Sequence, residues 1–477
     1  MAPTFTGLPS ELLDKIVEYS IPEGFESLAV TCKLIYAHCT RFIARHNHLR
    51  FSFREFIYRK DQPDPRVETH HLAFELLACI AAEPRVARYI VDADLRDDSD
   101  SYPTGRPFIA PNITPNITSD IGNGNPLVSL FANSSYLARA GLDWKEYYAL
   151  VKQEVQRSDY SQHAAAFILT LLPNITSLTL PRQWKPSDKT DRLLEVIVRE
   201  ARRSRFIWNE PSLAKLTTFE LISLDFNNAI PFLALPHVRS FSYKGLGNRS
   251  MKLASKNQYV CYGETLEEAN FLSSALNGKE ISEFLKHTPR LKELDLCRWG
   301  TGRDSYRPWD ICGFVVVIES EVGSHLEGLS LSTFRRCGFM HGQASMHGFQ
   351  RLRRLDCPLE LAMSHENKAL PRPLKPTDSL KDSKSEVLEP SISDLIPASV
   401  TKLSLIPYDE EQYWMALDVV FRDMTIKEGS KLPFLKEIYM EPPSPYLHLL
   451  DVRERERLEA KALEAGVVLH LSDDDSD

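Results

Sequence analysis

The sequence predicts an α/β fold: an irregular solenoid of parallel strands with outer helices, preceded by a small N-terminal helical unit. A six-residue strand pattern recurs eight times between residues 175 and 440. Several copies follow a helical segment that ends at a proline, such as Pro173, Pro289 or Pro397. Single strand-plus-helix units cannot bury their own apolar edges, so stacked neighbours would build one continuous core.

The N-terminal unit is predicted from helical spacing in residues 1–50. Pro9 suits the first turn of a helix, where its missing N–H leaves nothing unpaired. Apolar residues then recur every three or four positions: Leu12, Leu13, Ile16 and Val17, followed by Phe25, Leu28, Cys32, Ile35, Tyr36, Cys39, Phe42 and Ile43. So small a unit cannot bury the whole stripe on itself. Part of the stripe therefore faces the rest of the chain or another protein.

The strand pattern has apolar residues at its positions one, four and six. Its eight copies begin at Ile175, Leu216, Val238, Leu291, Leu326, Leu352, Val400 and Leu435. Two or three copies would mean little in a leucine-rich chain. Eight copies favour a solenoid, and the alternative is an ordinary α/β domain with several similar strands.

The predicted organisation has four parts. Residues 1–50 form the helical domain, 51–85 a connecting helical linker, 86–471 the array, and 472–477 an acidic tail. Insertions are expected near 97–128 and 364–391, where helical and strand patterns stop. Within these parts we expect helices over 70–82, 136–156 and 445–465, a strand over 86–91, and a last strand over 466–471.

Composition narrows the class of function. The net charge of −8 argues against a nucleic-acid partner. The sequence has no run of eighteen apolar residues, so we expect no membrane span. Eight scattered cysteines and the lack of a signal peptide indicate the cytoplasm or nucleus; Cys32 and Cys39 are expected to be buried. Zinc, phosphate-loop and nucleophile-elbow motifs are missing. We therefore expect no metal, no cofactor and no catalytic residue.

The N-terminal residues match a known family signature. Leu8-Pro9-x-Glu11-Leu12-Leu13-x-x-Ile16, then Leu28 and Cys32-Lys33-x-x-Tyr36, resembles the F-box motif. The strand pattern resembles a degenerate leucine-rich repeat, L-x-x-L-x-L, with irregular spacing between copies. An F-box joined to such an array is similar to many fungal F-box proteins.

The resemblance implies a non-enzymatic substrate receptor of an SCF-type cullin–RING ubiquitin ligase. Its F-box would bind the adaptor subunit, through residues that correspond to the motif: Leu8, Pro9, Leu12, Leu13, Ile16, Leu28, Cys32 and Lys33. Its repeats would hold an unknown protein substrate. Two alternatives stay open: a leucine-rich scaffold whose N-terminal helices only cap the solenoid, and an enzyme whose cleft is formed by the insertions.

The substrate surface is expected beside the apolar positions of the strands, where side chains alternate to the opposite face. The candidate substrate-binding residues lie at these positions or just after a strand: Glu220, Glu293, Asp295, Arg298, Trp299, Arg354, Asp356 and Tyr439. Arginine and tryptophan are typical anchors of binding interfaces. Trp184 and Trp299 could equally fill gaps between repeats.

Overall fold

A computed structural model describes the chain over fourteen segments. They are residues 5–58, 72–98, 125–156, 160–203, 211–223, 225–245, 262–272, 278–298, 311–333, 346–358, 396–406, 421, 432–440 and 452–471. The chain divides into two compact units. The first contains Met1–Ser223 and Asn228–Val238, and the second contains Leu224–Asn227 and Arg239–Asp477. These units are defined by contacts, and the domain boundaries at residues 50 and 85 stay predictions.

Helices fill much of the first unit. They are α1 (Ser10–Tyr19), α2 (Phe25–Ala29), α3 (Lys33–Phe53), α4 (Ala73–Ala82), α5 (Val86–Tyr89), α6 (Pro126–Ala132), α7 (Ser135–Arg139), α8 (Trp144–Gln156), α9 (Gln162–Ile168), α10 (Asp188–Arg203) and α11 (Ile230–Leu233). The second unit contributes α12 (Gly278–Leu285), α13 (Ile311–Val322) and α14 (Val452–Glu464). Short 3₁₀ turns cover Phe5–Gly7 and Phe226–Ala229.

Strands run in chain order within each unit. The first unit holds β1 (Glu55–Ile57), β2 (Asp92–Asp94), β3 (Ser177–Thr179) and β4 (Thr218–Ser223). The second holds β5 (Ser240–Gly245), β6 (Glu268–Leu272), β7 (Glu293–Arg298), β8 (Gly328–Thr333), β9 (Arg354–Pro358), β10 (Lys402–Ile406), β11 (Glu437–Met440) and β12 (Val468–Leu471). Within each unit, every strand pairs with the next in parallel. The predicted parallel α/β architecture is therefore confirmed.

One hydrogen-bond arrangement recurs between neighbouring strands. The position-two carbonyl accepts from the N–H groups at positions two and three of the next strand. For example, Arg353 O accepts from Thr401 N at 2.8 Å and from Lys402 N at 3.0 Å. The same double acceptance occurs at Arg54, Val91, Thr176, Arg239, Glu267, Lys292, Glu327 and Thr401. Repetition of this contact keeps the strands in register, as expected of a stack of similar units.

All eight pattern copies form strands, and the predicted last strand forms as β12. Two secondary-structure predictions are wrong in detail. The segment 86–91 was expected to be a strand, but α5 occupies Val86–Tyr89 and β2 begins only at Asp92. Burial of Val86 and Tyr89 against the helices overrides their β-propensity. The helix expected over 136–156 is two helices, because Gly141 at φ +63° ends α7.

Other predictions are confirmed or lie outside the described residues. Helices form at Ala73–Ala82 and Val452–Glu464, as expected. The predicted linker contains the end of α3, β1 and α4. The 364–391 insertion, the acidic tail and most of the 97–128 insertion lie outside the described residues.

Separate aromatic cores stabilise the two units. In the first, α9 is buried along its whole length, and the Phe131 and Phe167 rings stack with centroids 4.0 Å apart. In the second, Phe226 lies against Phe241, Phe271 and Phe284. Such pairs add about 0.5–1.5 kcal/mol each beyond the apolar area they bury.

Candidate protein-interaction surfaces

The first candidate surface is the N-terminal helical head, α1 to α3. Both α1 and α2 pack on α3, with Leu13 and Val17 of α1 facing inward. Asp14 also joins α1 to α3: its Oδ1 lies 2.7 Å from His38 Nδ1, and its Oδ2 lies 2.9 Å from Arg41 Nη2. These groups are partly exposed, so the apolar packing contributes most of the stability.

The residues predicted to bind an adaptor differ in exposure. Pro9, Leu12, Cys32 and Lys33 are exposed, whereas Leu8, Ile16 and Leu28 are half-buried. The Leu13 side chain is only 2% exposed, so it stabilises the head and does not contribute to its surface. Cys39 is buried as expected, but the expectation that Cys32 is buried is wrong, because it precedes α3 in an extended, exposed conformation.

Further exposed apolar residues belong to the same part of the head. Leu34 and Tyr36 in the first turn of α3 are 43% and 53% exposed, beside 46% for Leu12 on α1. Val30, just before α3, is more exposed still. Single exposed apolar residues are ordinary, but these four lie on α1, in the first turn of α3 and in the short segment before α3. Leu34 and Val30 were missed because they lie outside the predicted helical stripe, although that stripe itself includes the exposed residues Leu12 and Tyr36.

The second half of α3 has a different environment. His46, Leu49 and Phe53 are buried there. His46 Nδ1 lies 2.8 Å from the Tyr89 hydroxyl, and its ring packs against Phe25. Burial raises the Tyr89 pKa to about 12, so this hydroxyl stays protonated. After Arg54 the chain enters β1 directly. The second half of α3 thus anchors the head to the first strands.

The second candidate surface is the strand face of the second unit. Here side chains at positions three and five align across neighbouring strands. The position-three row, from β6 to β12, is Glu268, Glu293, Gly328, Arg354, Lys402, Glu437 and Val468. The position-five row is Asn270, Asp295, Ser330, Asp356, Ser404, Tyr439 and His470.

Gly328 lets two charged residues meet across an intervening strand. Glu293 on β7 and Arg354 on β9 both align with Gly328 on β8. Glu293 Oε2 lies 2.8 Å from Arg354 Nη2, and Arg354 Nε lies 3.6 Å from Asp356 Oδ2. A Cβ atom on Gly328 would overlap with Glu293 Oε2. Because Gly328 has no side chain, the Glu293 carboxylate can reach Arg354 across β8.

Two carboxylates on this face are poorly solvated. Burial raises the pKa of Asp295, while a hydrogen bond with Ser330 opposes the shift. Burial also raises the pKa of Glu293, against the nearby charge of Arg354. Asp295 Oδ1 is buried and has no hydrogen-bond partner among the described residues.

The far end of the same face holds a second polar group. Glu437 accepts from Lys402 Nζ at 2.9 Å and from the Tyr439 hydroxyl at 2.7 Å. The hydrogen bonds from Tyr439 and Lys402 lower the pKa of Glu437. Tyr439 stacks on His470 of β12, with ring centroids 4.3 Å apart. His470 was not among the predicted residues, although it occupies position five of the predicted last strand.

The structure brings together only some of the predicted substrate-binding residues. Glu293, Asp295, Arg354, Asp356 and Tyr439 share the second unit's strand face. Glu220 lies half-buried on β4 of the first unit. Arg298 is the last residue of β7, and Trp299 lies outside the described residues. Trp184 is buried against Phe232, so it fills a gap in the first unit.

Other kinds of site have little support in the described part of the chain. It contains no group of three side chains suited to hold a metal ion. Nor does any helix described here have the length and apolar character needed to cross a membrane. The sequence matches no model of a known protein family and no curated protein. The two surfaces are therefore the features of the described chain that bear on function.

Proposed function

We propose that this protein is the substrate-recognition subunit of an SCF-type cullin–RING ubiquitin ligase. In this proposal α1 to α3 form an F-box that binds the adaptor subunit, and the strand array is a degenerate leucine-rich repeat that holds the target protein. The protein itself performs no chemistry. It raises the local concentration of the target beside a ubiquitin-loaded enzyme, so that transfer becomes effectively intramolecular.

The exposed apolar side chains of α1 and early α3 carry this proposal. Leu12 and Tyr36 belong to the F-box-like motif and are about half exposed. Meanwhile Leu13, Val17 and Ile35 from the same helices fill the interior. A head with a complete interior and apolar residues left outside is suited to a protein partner.

The competing hypothesis is a scaffold whose N-terminal helices only cap the solenoid. Packing of the second half of α3 on the first strands favours a capping role for that half. It gives no role to the exposed residues Leu12, Leu34 and Tyr36. Deleting residues 1–60 would be a poor test of the two hypotheses, because the deletion removes β1 with the head.

Point variants of the full chain give a sharper test. Binding of the purified adaptor subunit is measured by calorimetry for wild type and for Leu12→Ala with Tyr36→Ala. Loss of such anchors costs about 1–4 kcal/mol, so we expect binding to weaken by about tenfold or more. The matched control is Val316→Ala with Leu463→Ala, exposed apolar residues of α13 and α14. Lack of adaptor binding by wild type, or equal affinity of both variants, would favour the scaffold hypothesis.

The charge of the strand face suggests the chemistry of the target. The position-three and position-five rows together carry five carboxylates. Arg354 and Lys402, the lysine and arginine residues of these rows, already form ion pairs with two of them. The carboxylates are Glu268, Glu293, Asp295, Asp356 and Glu437. This balance favours a target segment rich in lysine or arginine over a phosphorylated one.

A further inference from the structure

The last strand of the second unit, β12, has an open edge. Among the described residues it pairs on one side only, with β11. The Val468 N–H donates to the Lys436 carbonyl at 2.8 Å, just before β11. Backbone groups alternate in direction along a strand, so the N–H and C=O of Leu469 point to the opposite edge. β12 therefore has room to pair with one more strand.

The apolar core is incompletely covered at this end of the second unit. The inner strands bury their position-four side chains completely, with 0% exposure: Leu294, Leu329, Leu355, Leu403 and Ile438. Leu469 occupies the same position on β12 but is only half-buried, and Val468 beside it is 57% exposed. Repeat arrays normally end in a unit with a polar outer face. β12 thus lacks the cover that each inner strand receives from its neighbour.

The composition of β12 also differs from that of a protected edge strand. Residues 466–471 are Gly-Val-Val-Leu-His-Leu, with no lysine, arginine, carboxylate or proline. Natural proteins use such residues to keep a free edge from pairing. In β1, the first strand of the first unit, Glu55 is an exposed carboxylate, and Phe56 at position four is only 3% exposed. The unprotected edge is therefore that of β12.

We infer that β12 pairs with β12 of a second copy of this chain, antiparallel about a two-fold axis at Leu469. The Leu469 N–H and C=O bond to the same groups of the other copy, and each Val468 lies opposite His470 of the other copy. Two-fold contacts between identical surfaces are the commonest kind in homo-oligomers. This inference does not depend on the proposed ligase function.

The charge of the edge favours a second copy in this orientation. Because β12 carries no lysine, arginine or carboxylate, two identical edges meet without like-charge repulsion. Asp473, Asp474 and Asp475 follow β12 in the sequence. Parallel pairing would start these acidic segments side by side, whereas antiparallel pairing starts them at opposite ends of the strand pair. The strand faces of the two second units then lie on the same side of one continuous sheet.

Sedimentation velocity of the full chain over a range of concentrations tests the inference. We expect wild type to form a reversible dimer and no larger species, because a two-fold contact closes on itself. Val468→Lys places a charge on both paired edges and should weaken dimerisation by about tenfold or more. The matched control is Val316→Lys, at a 51%-exposed valine of α13 in the same unit, and it should dimerise like wild type.

Oxidative crosslinking of Val468→Cys with His470→Cys reports the orientation directly. Antiparallel neighbours without mutual backbone hydrogen bonds have Cα atoms about 4.5 Å apart, which is within disulfide range. We expect a covalent dimer that a reducing agent separates. Wild type, which keeps the exposed Cys32, is the control and should give no such dimer.

Circular dichroism melts identify any variant that fails to fold. If Val468→Lys does not fold, His470→Lys decides, because it adds a charge to the same exposed edge. A monomeric wild type would overturn the inference. So would a dimer that Val316→Lys weakens as much as Val468→Lys. An assembly that grows beyond two copies and is lost in Ile57→Lys would also overturn it, since that would indicate head-to-tail pairing of β12 with β1.

Discussion

At the scale of single residues, Gly328 is where a missing side chain creates an interaction. The Glu293 carboxylate occupies the space that a Cβ on Gly328 would need. In Gly328→Ala, the flexible end of Glu293 moves away, and its ion pair with Arg354 is lost. Since exposed pairs contribute about 0–1 kcal/mol, we expect a change of at most about 1 kcal/mol in the free energy of unfolding.

A double-mutant cycle measures this coupling through chemical denaturation. Arg354→Gln should destabilise the Gly328→Ala background less than wild type, because only the longer contact with Asp356 is left to lose there. Lys189→Gln breaks an ion pair with Glu146 in the first unit, so its effect should be equal in both backgrounds. An undiminished effect of Arg354→Gln in the Gly328→Ala background would contradict the proposed role of this glycine.

Asp98 is a second residue with a measurable consequence. It is buried, its Oδ1 accepts from the Ala73 N–H at 2.9 Å at the start of α4, and burial raises its pKa to about 7. The folded state therefore binds this proton more tightly than the unfolded state, whose carboxyl titrates near ~3.9. The contribution of protonated Asp98 to the free energy of unfolding is therefore fully present below the unfolded-state pKa. This contribution decreases as the pH rises towards the folded-state pKa of about 7, and it is lost above that value.

Asp98→Asn keeps the acceptor for Ala73 and removes the charge. We expect it to stabilise the protein by about 1–4 kcal/mol near pH 8, with a smaller gain near pH 5. Denaturant titrations at both pH values check this. Asp97→Asn, at the adjacent less buried carboxylate, serves as the control. A gain for Asp98→Asn that is the same at both pH values would disprove the burial explanation.

At the scale of elements, the strands show what sequence patterns can and cannot predict. β1, β2 and β6 were missed because β2 and β6 hold alanine at position four, and position one of β1 is the last residue of α3. They carry Phe53, Phe56 and Tyr58; Ile90, Ala93 and Leu95; and Leu266, Ala269 and Phe271, all buried. The stack requires burial at positions one, four and six, not a leucine, so a broader pattern would have found these strands.

The candidate sites were harder to predict because they depend on contacts between distant segments. Leu12 and Leu13 are adjacent and equally apolar, and only the position of α3 decides which one is buried. The pairing of Glu293 with Arg354 depends on strand register and on a glycine between them.

Helix α3 joins two environments and makes a prediction of its own. Leu49, in its second half, is buried, whereas Tyr36, in its first turn, is half exposed. Leu49→Ala should destabilise the protein by about 2–5 kcal/mol, because it leaves a cavity. Tyr36→Ala should change stability by no more than about 0.5 kcal/mol. The free energy of unfolding of both variants, measured with denaturant, shows whether the second half of α3 stabilises the fold while its first turn does not. Strong destabilisation by Tyr36→Ala would mean that the whole helix is structural.

At the scale of the molecule, the two proposed binding events use different compact units. Leu12 and Tyr36 belong to the first unit, and Glu268 and Asp295 to the second. Variants of residues that share no partner usually have additive effects, within about 0.5 kcal/mol. Binding of an adaptor and binding of a target should therefore be separable by mutation.

We expect Asp295→Asn with Glu268→Gln to weaken binding of lysine- and arginine-rich peptides while leaving adaptor affinity unchanged. Leu12→Ala with Tyr36→Ala should do the reverse, since neither residue belongs to the strands that carry the acidic face. Glu283→Gln, at an exposed carboxylate of α12, controls for net charge and should change neither affinity. Parallel titrations with the adaptor and a peptide panel check all three variants. If Asp295→Asn with Glu268→Gln weakened the adaptor, or if Glu283→Gln lowered peptide binding as much, net charge and not the strand face would select the target.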